Sequence, residues 1–254
     1  MGGIMRNHSN TIFITGGGSG IGRGLAEAFH KLGNRVVISG RREAVLRDTC
    51  TANPGMSYVV LDVASPDSVR TTAQTVAAKF PELNCVVNNA GVQRAHNFSA
   101  AGGLDEAAQR EEVETNLLGL ARVCAAFLPH LRSQPEATLI NISSGLAFVP
   151  LARVPVYCAT KAAVHSFSVS LRHQLKRTSV RVVELIPPYV HTDLDKGRRR
   201  PGGPTPMPLP QFISAAMEGL SGDADEIPVG DAKFLYASAG PGEAFTKSFS
   251  RMNP

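Results

Sequence analysis

Thr11-Ile12-Phe13-Ile14-Thr15-Gly16-Gly17-Gly18-Ser19-Gly20-Ile21-Gly22 is the stretch that decides the fold. Its first five residues are β-branched or aromatic, the composition of a strand. The glycines that follow allow a tight turn and close approach of the backbone to a ligand. Beyond them Ile21, Leu25, Ala28, Phe29 and Leu32 form one helical stripe, and Gly33 stops it. A glycine loop between a strand and the start of a helix suits a diphosphate, because the first helical N–H groups favour an anion. Gly16, Ser19, Gly20, Ile21 and Gly22 are therefore expected dinucleotide contacts. The plain alternative is a simple turn.

The alternation continues outward. Further strands are expected at 35–39, 57–61, 85–88, 138–142 and 180–186, with helices near 21–32, 43–51, 66–79, 106–131 and 156–176. Strands alternating with helices imply a parallel sheet covered on both faces. The expected fold is α/β, a Rossmann-type doubly wound parallel sheet in a single domain spanning 1–254. Residues 195–210 are too rich in Pro and Gly for a helix or central strand. A flexible substrate loop is expected at about 193–210, either a lid or a surface loop. Within it, Arg198 to Arg200 either draw an acidic substrate or form a solvated charge run.

At the end of the second strand, folds that prefer NAD place an acidic residue on the ribose 2′-hydroxyl. This chain has Ser39-Gly40-Arg41-Arg42 there. A guanidinium fork matches a phosphate. NADP(H) is thus favoured over NAD(H), with Arg41 on the 2′-phosphate and Arg42 assisting. The alternative is two solvated arginines.

Tyr157 and Lys161 stand four residues apart in a helical stretch and share a face. A phenol has a pKa of about 10, and a nearby ammonium is expected to lower it. Such a pair can act as general acid or base.

Gly16, Gly20, Ile21 and Gly22, then Asn88-Asn89-Ala90-Gly91, Ser144, and Tyr157 with Lys161 resemble the short-chain dehydrogenase/reductase family. The resemblance runs from about residue 11 to 194, and the tail looks like that of the DltE-like oxidoreductase branch. It implies a catalytic set of Asn116, Ser144, Tyr157 and Lys161. Tyr157 would exchange the proton of the substrate oxygen. Lys161 would tune Tyr157 and hold the nicotinamide ribose. Ser144 would steady the substrate oxygen, with Ser143 the neighbouring alternative. Asn116 would keep a helix distortion and a proton-relaying water. The resemblance also implies cofactor contacts from Asp62 and Val63 at the adenine, from Asn89, Ala90 and Gly91 along the adenine ribose, and from Val190 and Thr192 at the nicotinamide. Tyr157 and Lys161 belong to this cofactor set too.

Two departures from the family pattern stand out. Pro188 replaces the usual glycine before Thr192, which fixes φ and removes an N–H. The C-terminus lacks the usual glycine-rich strand, although Ile227 to Val229 could form a short one. A homodimer is therefore expected, with a homotetramer as the other arrangement. Leu146, Phe148, Val149, Pro150, Leu151, Val154 and Tyr189 either line an apolar pocket or pack the core. His96 and His191 flank the expected cleft as structural or lining residues.

The net charge of +5 is spread along the chain, and no helix-turn-helix, zinc finger or aromatic RNA-binding motif accompanies it, so no nucleic-acid partner is expected. No apolar run reaches the ~18 residues of a membrane span. Cys50, Cys85, Cys124 and Cys158 lack metal or disulfide spacing. No metal is expected, and a cytoplasmic location with reduced thiols is. The expected activity is NADP(H)-dependent interconversion of a ketone or aldehyde and an alcohol. The rival is a redox-sensing regulatory protein that holds the dinucleotide without turnover. Such proteins often lack the Tyr or Lys that this chain retains.

Overall fold

In a computed structural model of the chain, which describes residues 8–99, 105–195 and 205–253, β1 (Thr11–Thr15) is buried along its whole length. A strand covered on both faces needs apolar side chains on both, and Ile12, Phe13 and Ile14 supply them. It pairs in parallel with β2 (Arg35–Gly40) on one side and β4 (Leu83–Asn88) on the other. β3 (Ser57–Val60), β5 (Ala137–Ile142), β6 (Val180–Ile186) and β7 (Glu226–Pro228) complete the sheet in the order β3-β2-β1-β4-β5-β6-β7. The winding direction reverses between β1 and β4. A crevice opens there, beyond the carboxyl ends of the strands.

Two apolar layers hold helices to the sheet. On one face α1 (Gly20–Lys31), α2 (Glu43–Ala52) and α7 (Leu209–Leu220) bury Leu25, Phe29, Leu46 and Phe212 against Ile12, Ile14 and Ile38. On the other, α3 (Pro66–Lys79), α5 (Leu120–Ser133) and α6 (Pro155–Leu175) bury Val76, Phe127 and Leu171 against Phe13, Val86 and Leu139. Phe13 and Phe127 stack at 4.8 Å. Each such side chain contributes about 1.5–3 kcal/mol on burial. Gly33, at φ +81, ends α1 as its sequence implies. Leu32 leaves the expected stripe, because it is the C-cap and is 45% exposed.

The expected helix over 106–131 is in three parts. α4 (Glu106–Val113) leads into a π-helical turn at Glu114–Gly119, and α5 follows. The C-terminal region also differs from expectation. Pro208 and Pro210 read as loop residues, yet they sit at the start of α7, where a missing N–H costs nothing. Residues 209–210 of the expected loop are therefore helical, and Asp193–Asp195 form a short 3-10 turn. Arg198 to Arg200 lie outside the described residues. α8 (Ala232–Ala237) and α9 (Glu243–Met252) follow β7, so the tail is not merely a polar end.

Candidate active site

The cleft at the switch point holds about 1530 Å³. Its floor is the glycine loop, which is locked to β4. The Thr15 hydroxyl donates to the Val87 carbonyl (3.3 Å) and accepts from the backbone N–H groups of Asn89 (3.0 Å) and Ala90 (3.1 Å). The Asn89 amide donates back to the carbonyls of Thr15 (2.9 Å) and Gly16 (3.2 Å). Gly16 and Gly20 have φ of +66 and +54, values that favour glycine. A Cβ on Gly22 would stand 2.3 Å from Asn89 Nδ2 and 2.4 Å from the Gly16 carbonyl oxygen. The loop is thus an open cradle whose inner side tolerates no side chain, which suits a dinucleotide diphosphate.

The remaining expected cofactor contacts lie around that cradle. Arg41, Arg42, Asp62, Val63, Ala90, Gly91, Val190 and Thr192 all line the cleft. Thr192 stands over the loop, its Cβ 3.4 Å from where a Gly20 Cβ would be. Asp62 accepts from the Ala64 N–H through one carboxylate oxygen (3.0 Å). Arg42 donates to the Ser19 hydroxyl (3.2 Å), and Arg41 faces Glu111 at 3.6 Å. Asn89 lines the cleft, but its amide is spent on holding the glycine loop. Gly22 lies behind the lining rather than in it.

Three of the residues expected to be catalytic, Ser144, Tyr157 and Lys161, meet at the inner end. Ser144 caps a 3-10 turn at Gly145–Ala147, accepting from the Leu146 N–H (3.1 Å), and it hydrogen-bonds the Tyr157 phenol. The Ser143 hydroxyl is buried with no hydrogen-bond partner among the described residues, and Ser144 is the serine that reaches Tyr157. Lys161 donates to the Ile142 carbonyl (2.7 Å) and lies 5.7 Å from the Tyr157 ring centre. Asn116 sits in the π-helical turn and grips Val92 twice, accepting from its N–H (2.8 Å) and donating to its carbonyl (2.9 Å). It also donates to Thr160 Oγ1 (3.2 Å), which ties the turn to α6 next to Lys161. Asn116 packs behind the cleft wall.

The electrostatics differ from expectation. Spacing implies that Lys161 lowers the Tyr157 pKa. Burial instead pushes the phenol well above its ordinary value, and the Ser144 hydrogen bond pulls only partly back. Burial also brings Lys161 down to about 8, with the Glu184 charge opposing. Burial thus holds the phenol protonated and makes the ammonium easier to neutralise.

A family model described as short chain dehydrogenase matches residues 10–201. The chain belongs to the short-chain dehydrogenase/reductase family. It is 41% identical to the uncharacterized oxidoreductase DltE of Bacillus subtilis over 88% of this chain and 89% of the relative. It is 34% identical to the L-fucose dehydrogenase of Bos taurus over 74% of this chain and 69% of the relative. Among solved structures, a short chain dehydrogenase of Burkholderia cenocepacia in complex with NADP superposes with a TM-score of 0.80. It is 28% identical and covers 92% of this chain and 94% of its own. The chain is thus a short-chain oxidoreductase of the DltE-like branch.

Several parts of this short-chain dehydrogenase/reductase site lack a short sequence signal. Arg94, Arg153, Ser248, Arg251 and Met252 line the cleft mouth. α9 is held there by Asn253, which accepts from the Ala152 N–H (2.5 Å) and donates to the Pro150 carbonyl (3.1 Å). Of the expected apolar set, Leu146, Leu151 and Tyr189 line the cleft, and Phe148, Val149 and Val154 pack the interior. Pro150 lines a shallower neighbouring groove. Pro188 breaks no ladder bond. The chain beyond it pairs with Met207 instead, which donates to the Tyr189 carbonyl (2.8 Å) and accepts from the His191 N–H (2.9 Å). His191 lines the cleft, and His96 is buried against Glu112 at 2.6 Å. All four cysteines are free, and burial pushes their thiols up.

Proposed function

We propose that the protein interconverts a ketone or aldehyde and the matching alcohol with NADP(H). The observation that carries this reading is the meeting of Ser144, Tyr157 and Lys161 at the inner end of a glycine-floored cleft. A bound nicotinamide dinucleotide supplies the hydride in reduction and takes it up in oxidation. Tyr157, kept protonated by burial, gives its proton to the carbonyl oxygen as negative charge develops there. Ser144, its oxygen held by the Leu146 N–H, directs its hydroxyl at the same oxygen and stabilises that charge. Lys161, when charged, stabilises the phenolate that remains and holds the nicotinamide ribose. Asn116 fixes the segment around Val92 beside Lys161.

The NADP(H) preference rests on Arg41 and Arg42, on the absence of an acid at Ser39-Gly40, and on the NADP complex of the Burkholderia relative. Arg41 is half-exposed, and its pairing with Glu111 contributes at most about 1 kcal/mol. A phosphate can therefore take its place readily. The dimer and a cytoplasmic site of action belong to the same reading. Exposed Leu118 and Val169 on the π-helical turn and α6 offer an apolar face to a second copy. No described helix is long and apolar enough to cross a membrane.

A panel of ketones, aldehydes and alcohols followed by NADPH absorbance, with NADH in parallel, tests the reading. Turnover with clearly higher kcat/KM for NADPH is expected, and equal values would remove the cofactor preference. Tyr157→Phe is expected to lower kcat by about 10²–10⁴. A Tyr157→Phe protein reducing ketones at the wild-type rate would sink the mechanism.

A further inference from the structure

Glu184 is a buried acid that the proposed reaction leaves unused. It lies on β6, its side chain fully buried, with one carboxylate oxygen 2.8 Å from His165 Nδ1. The other oxygen, Oε1, has no hydrogen-bond partner among the described residues. A carboxylate removed from water and half satisfied is costly unless another charge compensates it.

The fold brings that compensation from the catalytic helix. Lys161 and His165 are four residues apart on α6, so they are neighbours on one face, about 5–6 Å apart at their Cβ atoms. His165 touches Glu184. Lys161 bonds the carbonyl of Ile142 on β5, and the residues paired with Asn141 and Ile142 across the sheet are Glu184 and Leu185. The anchor of Lys161 on β5 and its helix neighbour His165 therefore flank Glu184.

The other charged groups around the pair are already engaged. On α6, Arg172 is bound to Glu226 (2.9 Å) and to the Val182 carbonyl (3.1 Å), and it also faces Asp225. From β7, Glu226 accepts from Arg172 and from the Tyr236 hydroxyl of α8 (2.6 Å). From α4, Glu112 is taken by His96 and the Arg94 N–H (2.8 Å). Tyr157 and Cys158 are held by Ser144 and Leu151. Lys161 has no carboxylate at ion-pair distance among the described residues.

We propose that Glu184, anchored by His165, is a positioning residue that keeps the positive charge on Lys161. The proposal rests on the reading of Lys161 as a catalytic residue. Burial drives Lys161 down, Glu184 is the charge that opposes it, and the balance of the two stands at about 8. His165, Glu184 and Glu226 do bring ligand atoms within 4.8 Å of one another, as a metal site would. Both oxygens of Glu226 are already bonded, however, and the Arg172 guanidinium beside them disfavours a cation.

The test is the pH dependence of kcat/KM for carbonyl reduction and, separately, of NADPH affinity by fluorescence titration. Activity that needs the ammonium is present below the Lys161 pKa and is lost as pH rises through it. Glu184→Gln keeps shape and removes charge, so the alkaline limb of both profiles should move down by about one pH unit, the low end of what a nearby charge does. The plateau at low pH should be unchanged, and Glu184→Asp should restore the limb. If the Gln protein does not fold, Glu184→Thr suits a strand and removes the same charge. Superimposable profiles for wild type and the charge-free variants overturn the proposal. So does one equivalent of zinc carried by the wild type and lost from Glu184→Gln. A Lys161→Met protein that still turns over would instead overturn the proposed function, and the NADPH-binding profile tests Glu184 even then.

Discussion

The floor and the mouth of the cleft are built by different means. The floor, Thr15 to Gly22 with Asn89, is defined by backbone: two positive φ angles, a missing Cβ at Gly22, and carbonyls held by one amide. The mouth is defined by side chains from remote parts of the chain. Asn253 reaches back to Pro150 and Ala152, and Met207 pairs with Tyr189 and His191. A diphosphate offers the same charge and shape to every protein that binds it, so backbone N–H groups suffice and the sequence must spend glycines at fixed spacing. A substrate wall has no such common demand.

The sharpest way to break this contrast is Gly22→Ala. Its Cβ would overlap Asn89 Nδ2 and the Gly16 carbonyl at 2.3 and 2.4 Å, and the second of these is backbone. The clamp between β1 and β4 should open, with loss of NADPH binding by more than about 100-fold, or some 3 kcal/mol. Fluorescence titration checks it. Binding at wild-type strength would mean that the floor is held elsewhere.

Arg41→Ala with Arg42→Ala should come next. Removing both guanidiniums takes away the groups proposed for the 2′-phosphate, and charge-assisted pairs of this kind contribute about 1.5–3 kcal/mol. NADPH affinity should fall roughly 10- to 100-fold. NADH affinity should barely change. Equal losses for the two cofactors would assign the arginines to the fold instead.

The same contrast explains what was legible in the sequence. β1, the glycine loop and α1 are local, so periodicity and glycine spacing revealed them. That Tyr157, Lys161 and Ser144 come together in one cleft was legible, because a helix and a family spacing fix their placement. The π-helical turn around Asn116 was legible only through the family resemblance, which implies a helix distortion there, because nothing in Glu114-Thr115-Asn116-Leu117-Leu118-Gly119 departs from helical composition. The hydrogen bonds of Asn116 to Val92 accompany it, and Val92 is a long-range contact. α7 was hidden by its own prolines, which sit where a helix tolerates them. The raised Tyr157 pKa was hidden too. Spacing tells which charges are near, but not how much water is excluded.

Lys161 lies between the two regions and gives a pH prediction. Its folded pKa, about 8, is below the unfolded value near 10.5. For a base with a depressed folded pKa, the penalty is fully present below the folded value. It fades as pH rises from about 8 to 10.5, where the unfolded chain binds the extra proton. Lys161→Met should therefore stabilise the protein at pH 7 by about 2 kcal/mol, after allowing for the lost bond to the Ile142 carbonyl. That corresponds to a Tm higher by roughly 4–8 °C. The gain should shrink steadily above pH 8 in a melting series. A constant difference across pH would mean that packing, and not charge, separates the two proteins.

Asn253→Ala should have the smallest effect and the most selective one. It removes the two bonds that hold the end of α9 to the 150–152 segment, while Arg153, Arg251 and Met252 keep their places in the chain. Two partly exposed hydrogen bonds contribute about 1 kcal/mol in net terms. KM for the carbonyl substrate should rise by roughly fivefold, with kcat nearly kept and NADPH affinity unchanged. The floor does not touch Asn253, so a change in cofactor affinity would show that the mouth and the floor are coupled. A change confined to KM would show that one cleft carries two separately adjustable walls, with Tyr157 and Ser144 standing where they meet.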